Sequence, residues 1–184
     1  MIAPTVSITK RGVERLASGH PWIYRSDVMH PAGIEAGVVR IIDQKKRFYG
    51  QALYSTQSQI ALRFLTREDR PFDGAFLTER IRSAAAYRRQ VAAGAHAYRL
   101  VASEGDLLPS LIIDRYGDCF VIQTLSQGME RLKSLVVEIL QKEFEPRSIL
   151  ERNDVAVRNL EGLPEQSGVL AGEDVSEIVW KRTA

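Results

Sequence analysis

Four carboxylates gather in the middle of the sequence: Glu104, Asp106, Asp114 and Asp118. Paired carboxylates can share acid–base work when their surroundings split their pKa values, and clustered ones can hold magnesium. On that pattern the chain could be a small carboxylate-dependent enzyme using Asp106, Asp114 and Asp118. A local explanation competes with it. Glu104-Gly105-Asp106 with Pro109, and Tyr116-Gly117-Asp118, are turn sequences where Asp and Gly belong, and Asp114 can pair with a nearby Arg. Cys119, the only cysteine, is the one candidate nucleophile. A reactive thiolate needs a basic neighbour, whereas Cys119 lies between Asp118 and Phe120 with nothing basic adjoining it. It reads as a buried structural thiol. One cysteine excludes an internal disulfide, which fits a reducing cytoplasm. No CxxC or HExxH pattern occurs and the three histidines are scattered, so neither a metal site nor a catalytic residue is assigned.

The third set is cationic: Lys10, Arg11, Arg15, Arg25, Lys45, Lys46, Arg47 and Arg63, together with His20-Pro21-Trp22. RNA readers combine Lys and Arg for phosphates with an aromatic or backbone surface for a base or sugar. Charge is distributed to match. Residues 1–70 carry 11 Lys/Arg against 6 Asp/Glu, residues 71–126 balance at 6 each, and residues 127–184 hold 8 against 11. A basic front on a neutral-to-acidic remainder suits a phosphate backbone, although a solvated surface with chance asymmetry gives the same totals. Trp22 opens an apolar strand, so it fits the core as well as a stacking platform. His20 either stabilises its turn or contacts RNA. Lys45-Lys46-Arg47 occupies a predicted hairpin tip, where a charge cluster is equally at home in water.

These side chains need elements to position them. Val6-Ser7-Ile8 alternates as a strand, and a short helix follows from Lys10 to Gly19, with Val13 and Leu16 on one side. Proline at 21 forbids its continuation. Trp22-Ile23-Tyr24, 37–43, 48–54 and 60–65 read as strands, with His30-Pro31-Ala32-Gly33 as a turn. Closely spaced strands with one short helix describe a small β-barrel. Residues 66–72 are polar and contain proline, which places a boundary between domains 1–70 and 71–184. A helix then starts at Asp73 as N-cap, with Phe72 and Leu77 as a hydrophobic staple, and Leu77, Ile81, Ala84, Ala85 and Val91 as its apolar face. Arg80, Arg82 and Arg89 point outward, and Gly94 ends it. Strands are predicted at 98–102, 111–115 and 119–124. An amphipathic helix over 129–144 follows, with Ser126 as cap, and a strand returns at 148–150. Beyond Asn153 periodicity fades into turns, with one last strand near 178–180. No stretch of 18 or more apolar residues occurs, so no membrane partner is expected. The fold class is α+β.

Three segments carry a resemblance. Gly19-His20-Pro21-Trp22-Ile23-Tyr24, then Gly37-Val38-Val39-Arg40-Ile41-Ile42-Asp43 and Tyr49-Gly50, resemble the N-terminal PUA domain of the bacterial ribosomal RNA large-subunit methyltransferase I family. Arg99-Leu100-Val101 through Glu104-Gly105-Asp106, Leu108-Pro109 and 111–118 resembles that family's central segment. Residues 151–158 with Leu160-Glu161-Gly162-Leu163 match a third block. The three keep their order and spacing over about residues 6–172.

The resemblance implies a PUA-type β-barrel, a small mixed α/β domain, and a Rossmann-type methyltransferase domain that moves a methyl group from S-adenosylmethionine to a cytosine C5 of large-subunit ribosomal RNA. In that chemistry a cysteine thiolate adds to C6 to make C5 nucleophilic. The sequence ends at Trp180-Lys181-Arg182-Thr183-Ala184, about where the family continues into the catalytic domain, so that domain is expected to be absent. No GxGxxG occurs, and Gly105 and Gly117 precede strands rather than helices, so no cofactor is expected in this chain. The RNA surface implied by PUA domains, the first helix, the loop after it and the facing strands, points to Lys10–Arg25. The expected function is RNA recognition for a ribosomal RNA methyltransferase, without methylation by this chain alone. The alternative is a stand-alone PUA-type RNA-binding adaptor. An exposed apolar edge at Trp180 would favour self-association into a homodimer.

Overall fold

The computed structural model describes residues 3–29 and 33–175. Its first sheet contains β1 (Thr5–Ile8), β2 (Trp22–Tyr24), β3 (Val28–Met29), β4 (Gly37–Ile42), β5 (Phe48–Tyr54) and β6 (Ile60–Thr66), in the order β2-β6-β5-β4-β1-β3. β4, β5 and β6 form an antiparallel meander, and β1 lies parallel to β4. The two edge strands, β2 and β3, are joined only by the 3₁₀ turn Arg25–Asp27. The sheet must therefore curl until its edges lie one turn apart, which makes it a small barrel. Alternate residues fill it: Val6 and Ile8, Val39 and Ile41, Ala52 and Tyr54, and Leu62. Helix α1 (Lys10–Ala17) closes one end, capped by Thr9, whose hydroxyl accepts from the Gly12 N–H at 3.2 Å.

The second sheet runs β11-β10-β9-β8-β7, from β7 (Ala97–Ala102), β8 (Leu111–Tyr116), β9 (Cys119–Thr124), β10 (Ser148–Asn153) and β11 (Gln166–Gly172). Only β9 and β10 are parallel, joined by α3 (Gln127–Glu130) and α4 (Lys133–Phe144). Leu77 and Ile81 of α2 (Gly74–Val91) and Val136 and Leu140 of α4 share a core with Leu100, Ile113, Phe120 and Ile149. This core also takes Leu53 and Leu65 from the barrel. β5 and β6 thus bury side chains on both faces, one facing into the barrel and the other into the seam between the sheets. No described helix is long and apolar enough to cross a membrane.

Three local expectations need correction. The helix expected over 129–144 is broken at Arg131–Leu132. Gly128 is pressed so closely on Leu53 that a Cβ there would meet the Leu53 Cβ at 2.8 Å, while Val136 and Leu140 must face the second sheet. One straight helix cannot serve both directions, and Leu132 turns the chain at φ −95° and ψ −2°. Val91 is 59% exposed rather than on the apolar face of α2. Phe72 packs against the core that holds Leu77 and also meets Phe76, with ring centroids 4.7 Å apart. The tail beyond Asn153 holds a 3₁₀ segment, Ala156–Glu161, and the strand β11. The strand expected near 178–180 and most of the turn at 30–33 lie outside the described residues.

The 3₁₀ segment ties the two sheets together. The Glu161 carboxylate, 1% exposed, accepts from Ser55 Oγ at 2.5 Å, from the Arg63 guanidinium at 2.7 Å and from the Gln127 N–H at 3.2 Å. Arg158, fully buried, donates to Glu130 at 3.0 Å and to the Pro164 and Thr124 carbonyls. Lys133 bridges Glu130 and Glu151 at 2.7 and 2.8 Å. Burial works against ionisation of Glu161. The Ser55 hydrogen bond and the Arg63 charge outweigh it and hold the carboxyl below its ordinary value. Glu130 is lowered too, burial being outweighed by hydrogen bonds from Arg158, Lys133 and Thr124.

A depressed folded-state pKa contributes stability that is complete above the unfolded carboxylate range, about pH 4–5, and is lost as pH falls through the folded value. Glu161→Gln is expected to lower stability at neutral pH by about 3–5 kcal/mol, because Arg63 is left buried without its counter-charge. It should also weaken the acid sensitivity. Urea unfolding at pH 7 and pH 4 checks both, and a variant matching the parent at pH 7 rejects the pair as a structural tie.

Candidate nucleic-acid interface

Because β1 and β4 are parallel, with Thr5 opposite Arg40 and Ser7 opposite Ile42, their C-terminal ends emerge at the same end of the barrel. From β1 springs α1, carrying Lys10, Arg11 and Arg15. From β4 springs the turn that carries Lys45, Lys46 and Arg47. The topology therefore brings together two basic segments that lie about thirty residues apart in sequence.

Each segment is organised by one buried carboxylate. Asp27, 2% exposed, accepts from Arg11 Nε at 2.7 Å and Arg15 Nε at 2.9 Å, so two guanidiniums share one acid. Arg11 also reaches Ser26 Oγ at 2.8 Å, and the Arg15 guanidinium sits 4.8 Å from the Tyr24 ring centroid. In the turn, Asp43 Oδ1 accepts from the N–H groups of Lys45 and Arg47 at 2.8 and 2.9 Å, and Oδ2 from Arg47 Nε at 2.7 Å. Desolvation opposes the Asp43 charge, but those N–H groups and the guanidinium prevail and place its pKa below the ordinary value. Lys46 adopts φ +60°, a left-handed backbone conformation, within this turn. Gln44 Nε2 lies 3.3 Å from Met29 Sδ, joining the turn to β3 and so to the α1 side.

The cations proposed from sequence separate into three kinds. Lys45 and Lys46 are exposed, with no ion-pair partner among the described residues, and Lys10 makes only a solvent-exposed 3.7 Å contact with Glu14. Arg11, Arg15 and Arg47 are held by a carboxylate, with side chains 60%, 31% and 66% exposed, so they keep a face toward solvent. Arg25 and Arg63 are structural. Arg25 donates to the carbonyls of Ser55 and Ser58 at 2.5 and 2.8 Å and to Tyr54 Oη at 3.3 Å, while Arg63 lies in the seam.

His20 and Trp22 sit where α1 gives way to β2. His20 Nδ1 accepts from the Trp22 N–H at 3.1 Å, a turn-stabilising bond. Trp22 is half-buried, and its indole Nε1 donates to Glu104 Oε1 at 2.9 Å across to the second sheet. Two residues with roles here were not in the sequence-derived set. Asp27 organises the helix arginines, and Arg67, just past β6, donates to the Leu16 carbonyl at 2.9 Å and lies 5.5 Å from the Phe64 ring. Asp27 is followed by no motif that would reveal it, and Arg67 is hidden in the charged run at 66–72.

The central carboxylates are all engaged. Asp106 binds Arg88 at 2.6 Å and the Ala102 N–H at 2.6 Å, Asp114 binds Arg99 at 2.9 Å, Asp118 lies 3.5 Å from Arg147, and Glu104 holds Trp22. Among the described residues no three His, Cys, Asp or Glu side chains are grouped to hold a metal ion. Cys119 is buried, at 1% exposure, but it does have a basic neighbour: an Arg147 N–H reaches its sulfur at 3.4 Å. That neighbour comes from the start of β10, which the local sequence around Cys119 does not reveal.

Comparison with known proteins now bears on this geometry. Residues 6–67 match the family described as PUA-like domain. The chain is 40% identical over 177 residues to a ribosomal RNA large subunit methyltransferase I of Tolumonas auensis, covering 94% of this chain and 45% of that protein. It is 35% identical over 181 residues to the same enzyme of Photobacterium profundum, covering 95% and 46%. Among solved structures, a candidate SAM-dependent methyltransferase from Streptococcus mutans superposes with a TM-score of 0.75 at 18% identity, over 96% of this chain and 45% of that one. A candidate methyltransferase solved with SAH gives 0.76 at 19% identity, over 96% and 44%. The structural likeness establishes the shared fold. The resemblance to the large-subunit methyltransferase I family thus holds along nearly the whole chain, which spans less than half the length of these relatives.

Arg25 separates a structural cation from a binding one. Arg25→Ala should cost about 1.5–3 kcal/mol, since carbonyls of the loop between β5 and β6 lose charged donors. Chemical denaturation measures this, and an unchanged midpoint would place Arg25 with the free cations instead.

Proposed function

We propose, from its likeness to the large-subunit methyltransferase I family, that this chain is the RNA-recognition part and adjoining α/β part of an enzyme that methylates large-subunit ribosomal RNA. The observation that carries the RNA contact is the shared barrel end. Lys10 and Arg11 on α1 and Lys45, Lys46 and Arg47 on the turn form one cationic edge, set out by the parallel pairing of β1 with β4. Exposed lysines there can replace the counterions that a phosphate backbone otherwise condenses. Arginines fixed by Asp27 and Asp43 present guanidiniums with little conformational freedom left to lose. His20 and Trp22 lie at the far end of α1, where a sugar or base would follow the phosphates.

Methyl transfer is not assigned to the described residues. S-adenosylmethionine is the donor that the family resemblance implies, and a donor site needs a strand, an open glycine turn and a helix. The strand-to-helix crossing from β9 into α3 comes nearest in topology and does not fit. Its glycine, Gly128, is covered by Leu53, and the N–H of Gln127 at the mouth of the turn is taken by Glu161. Cys119 is equally unsuited to attack a base, being buried under Arg147. The role supported for this chain is recognition, with chemistry belonging to the remainder of the enzyme.

Binding of a ribosomal RNA fragment, followed as log affinity against log salt, should give a clear negative slope. Replacing Lys10, Lys45 and Lys46 together by alanine should shrink that slope by roughly 2–3, at about 0.7–0.9 for each phosphate contact. Lys142→Ala, at an exposed position of α4, serves as control and should leave it unchanged. A triple variant with the parent's slope places the RNA elsewhere.

A further inference from the structure

We propose that the cleft between the α1–β2 turn and the loop at 103–110 is a slot for one unstacked nucleobase of the bound RNA strand. The proposal rests on the RNA-binding reading above and adds to it a second element, the loop of the α/β part, as a direct contact.

The loop is held in a conformation that its residues disfavour. Five described non-glycine residues have positive φ, and three of them fall here: Ser103 at 52°, Leu107 at 57° and Ser110 at 65°. Left-handed backbone is uncommon for residues bearing a side chain, and such outliers persist where the surroundings over-determine them. Here they do. Ser103 Oγ accepts from the Ser110 N–H at 2.8 Å and donates to Glu104 at 2.5 Å, while Asp106 is clamped by Arg88 and by the Ala102 N–H. The consequence is a division between two adjacent leucines. Leu108 is fully buried, whereas Leu107 stands 52% exposed at the surface.

Leu107 faces His20 and Pro21 of the α1–β2 turn, and Phe64 of β6, across a cleft of about 160 Å³. Drug-sized ligands occupy about 300–1,000 Å³, so this space suits a single planar ring system. The 2.9 Å bond from Trp22 Nε1 to Glu104 Oε1 ties the two walls together and fixes their separation. The lining is mostly apolar, and its polar groups are the Arg67 guanidinium, the Glu104 carboxylate, and the second ring nitrogen of His20, which has no hydrogen-bond partner among the described residues. Flat apolar faces with hydrogen-bonding edges are the chemistry of a nucleobase. A phosphate would be repelled by Glu104. The slot opens beside the C-terminal end of α1, roughly 12 Å along the helix from Lys10, so one strand can lay phosphates on the cationic edge and turn a base inward.

The test uses the 184-residue chain and two probes of one sequence: a single-stranded RNA on the order of ten nucleotides long, carrying 2-aminopurine at successive positions, and the corresponding blunt duplex. Leu107→Gly removes one wall while relieving the left-handed strain, so thermal melting should show an unchanged or raised midpoint. Single-strand affinity should fall about tenfold with the salt slope unchanged, one 2-aminopurine position should lose its binding-induced fluorescence change, and duplex affinity should not move. A variant that binds the single strand as the parent does, or that loses both RNAs equally, overturns the slot while leaving the cationic edge standing. A parent chain with no salt-dependent affinity for either RNA overturns the RNA reading and the slot with it.

Discussion

The architecture depends on one desolvated carboxylate. Glu161 reaches out of the second half of the chain and takes hydrogen bonds from Ser55 and Arg63 of the barrel and from the first N–H of α3. An ionised group at 1% exposure is tolerated only when its lone pairs are met by donors and its charge by a counter-charge. Each of those partners comes from a different segment, so they satisfy Glu161 in one arrangement only. Apolar contact between Leu53, Leu65 and the second core supplies most of the attraction but little orientation, since hydrophobic burial is non-directional. The ionic node selects among the ways in which those surfaces could meet. That selection matters for the surface, because Trp22 and Glu104 can touch only if the two sheets hold this relation.

Within the barrel, charge is handled differently. Arg11 and Arg15 share Asp27, which leaves a local excess of one positive charge and two guanidiniums with fixed orientation. Arg47 and Asp43 are matched one to one, so that pair shapes the turn more than it adds to the field. Lys45 and Lys46 have no ion-pair partner among the described residues and Lys10 has only an exposed contact with Glu14, so their charge is the least neutralised locally. Geometry is set by arginine and carboxylate together, whereas the attractive potential comes chiefly from lysine.

Much of this was legible in the sequence. Two-residue alternation in Val6-Ser7-Ile8 and in 60–65, and the turn residues around 19–21, located the barrel strands and α1, because each depends on local pattern. Asp73 announced the start of α2, and its carboxylate does accept from the Phe76 N–H at 3.0 Å. What could not be read there is set at a distance. Arg63 sits on the outward face of its strand, where a surface cation is expected, yet that face is the seam. The apolar spacing through 129–144 runs on without interruption, because the break is imposed by Leu53 pressing on Gly128. β11 has little hydrophobic alternation, since as an edge strand, with Gly168 and Gly172 in it, it is fixed by pairing with β10 rather than by packing. Nor can adjacent leucines at 107 and 108 declare which is buried.

The same distance effect explains why the candidate surface is composite. A short helix and a hairpin turn can offer charge, but charge alone grips any polyanion and distinguishes little. Discrimination needs a contact that depends on the shape or edge of a base, held rigidly enough that a poor fit is penalised. The barrel end supplies no such recess of its own: residues 44–47 of its turn are exposed and α1 is a single short helix. The rigid element comes instead from the other sheet, where three left-handed residues are locked by Ser103, Asp106 and Arg88. Placing that element beside α1 requires the seam, and the seam requires Glu161. On the proposed reading, charge would come from the barrel end alone, whereas discrimination would need the joined pair of sheets.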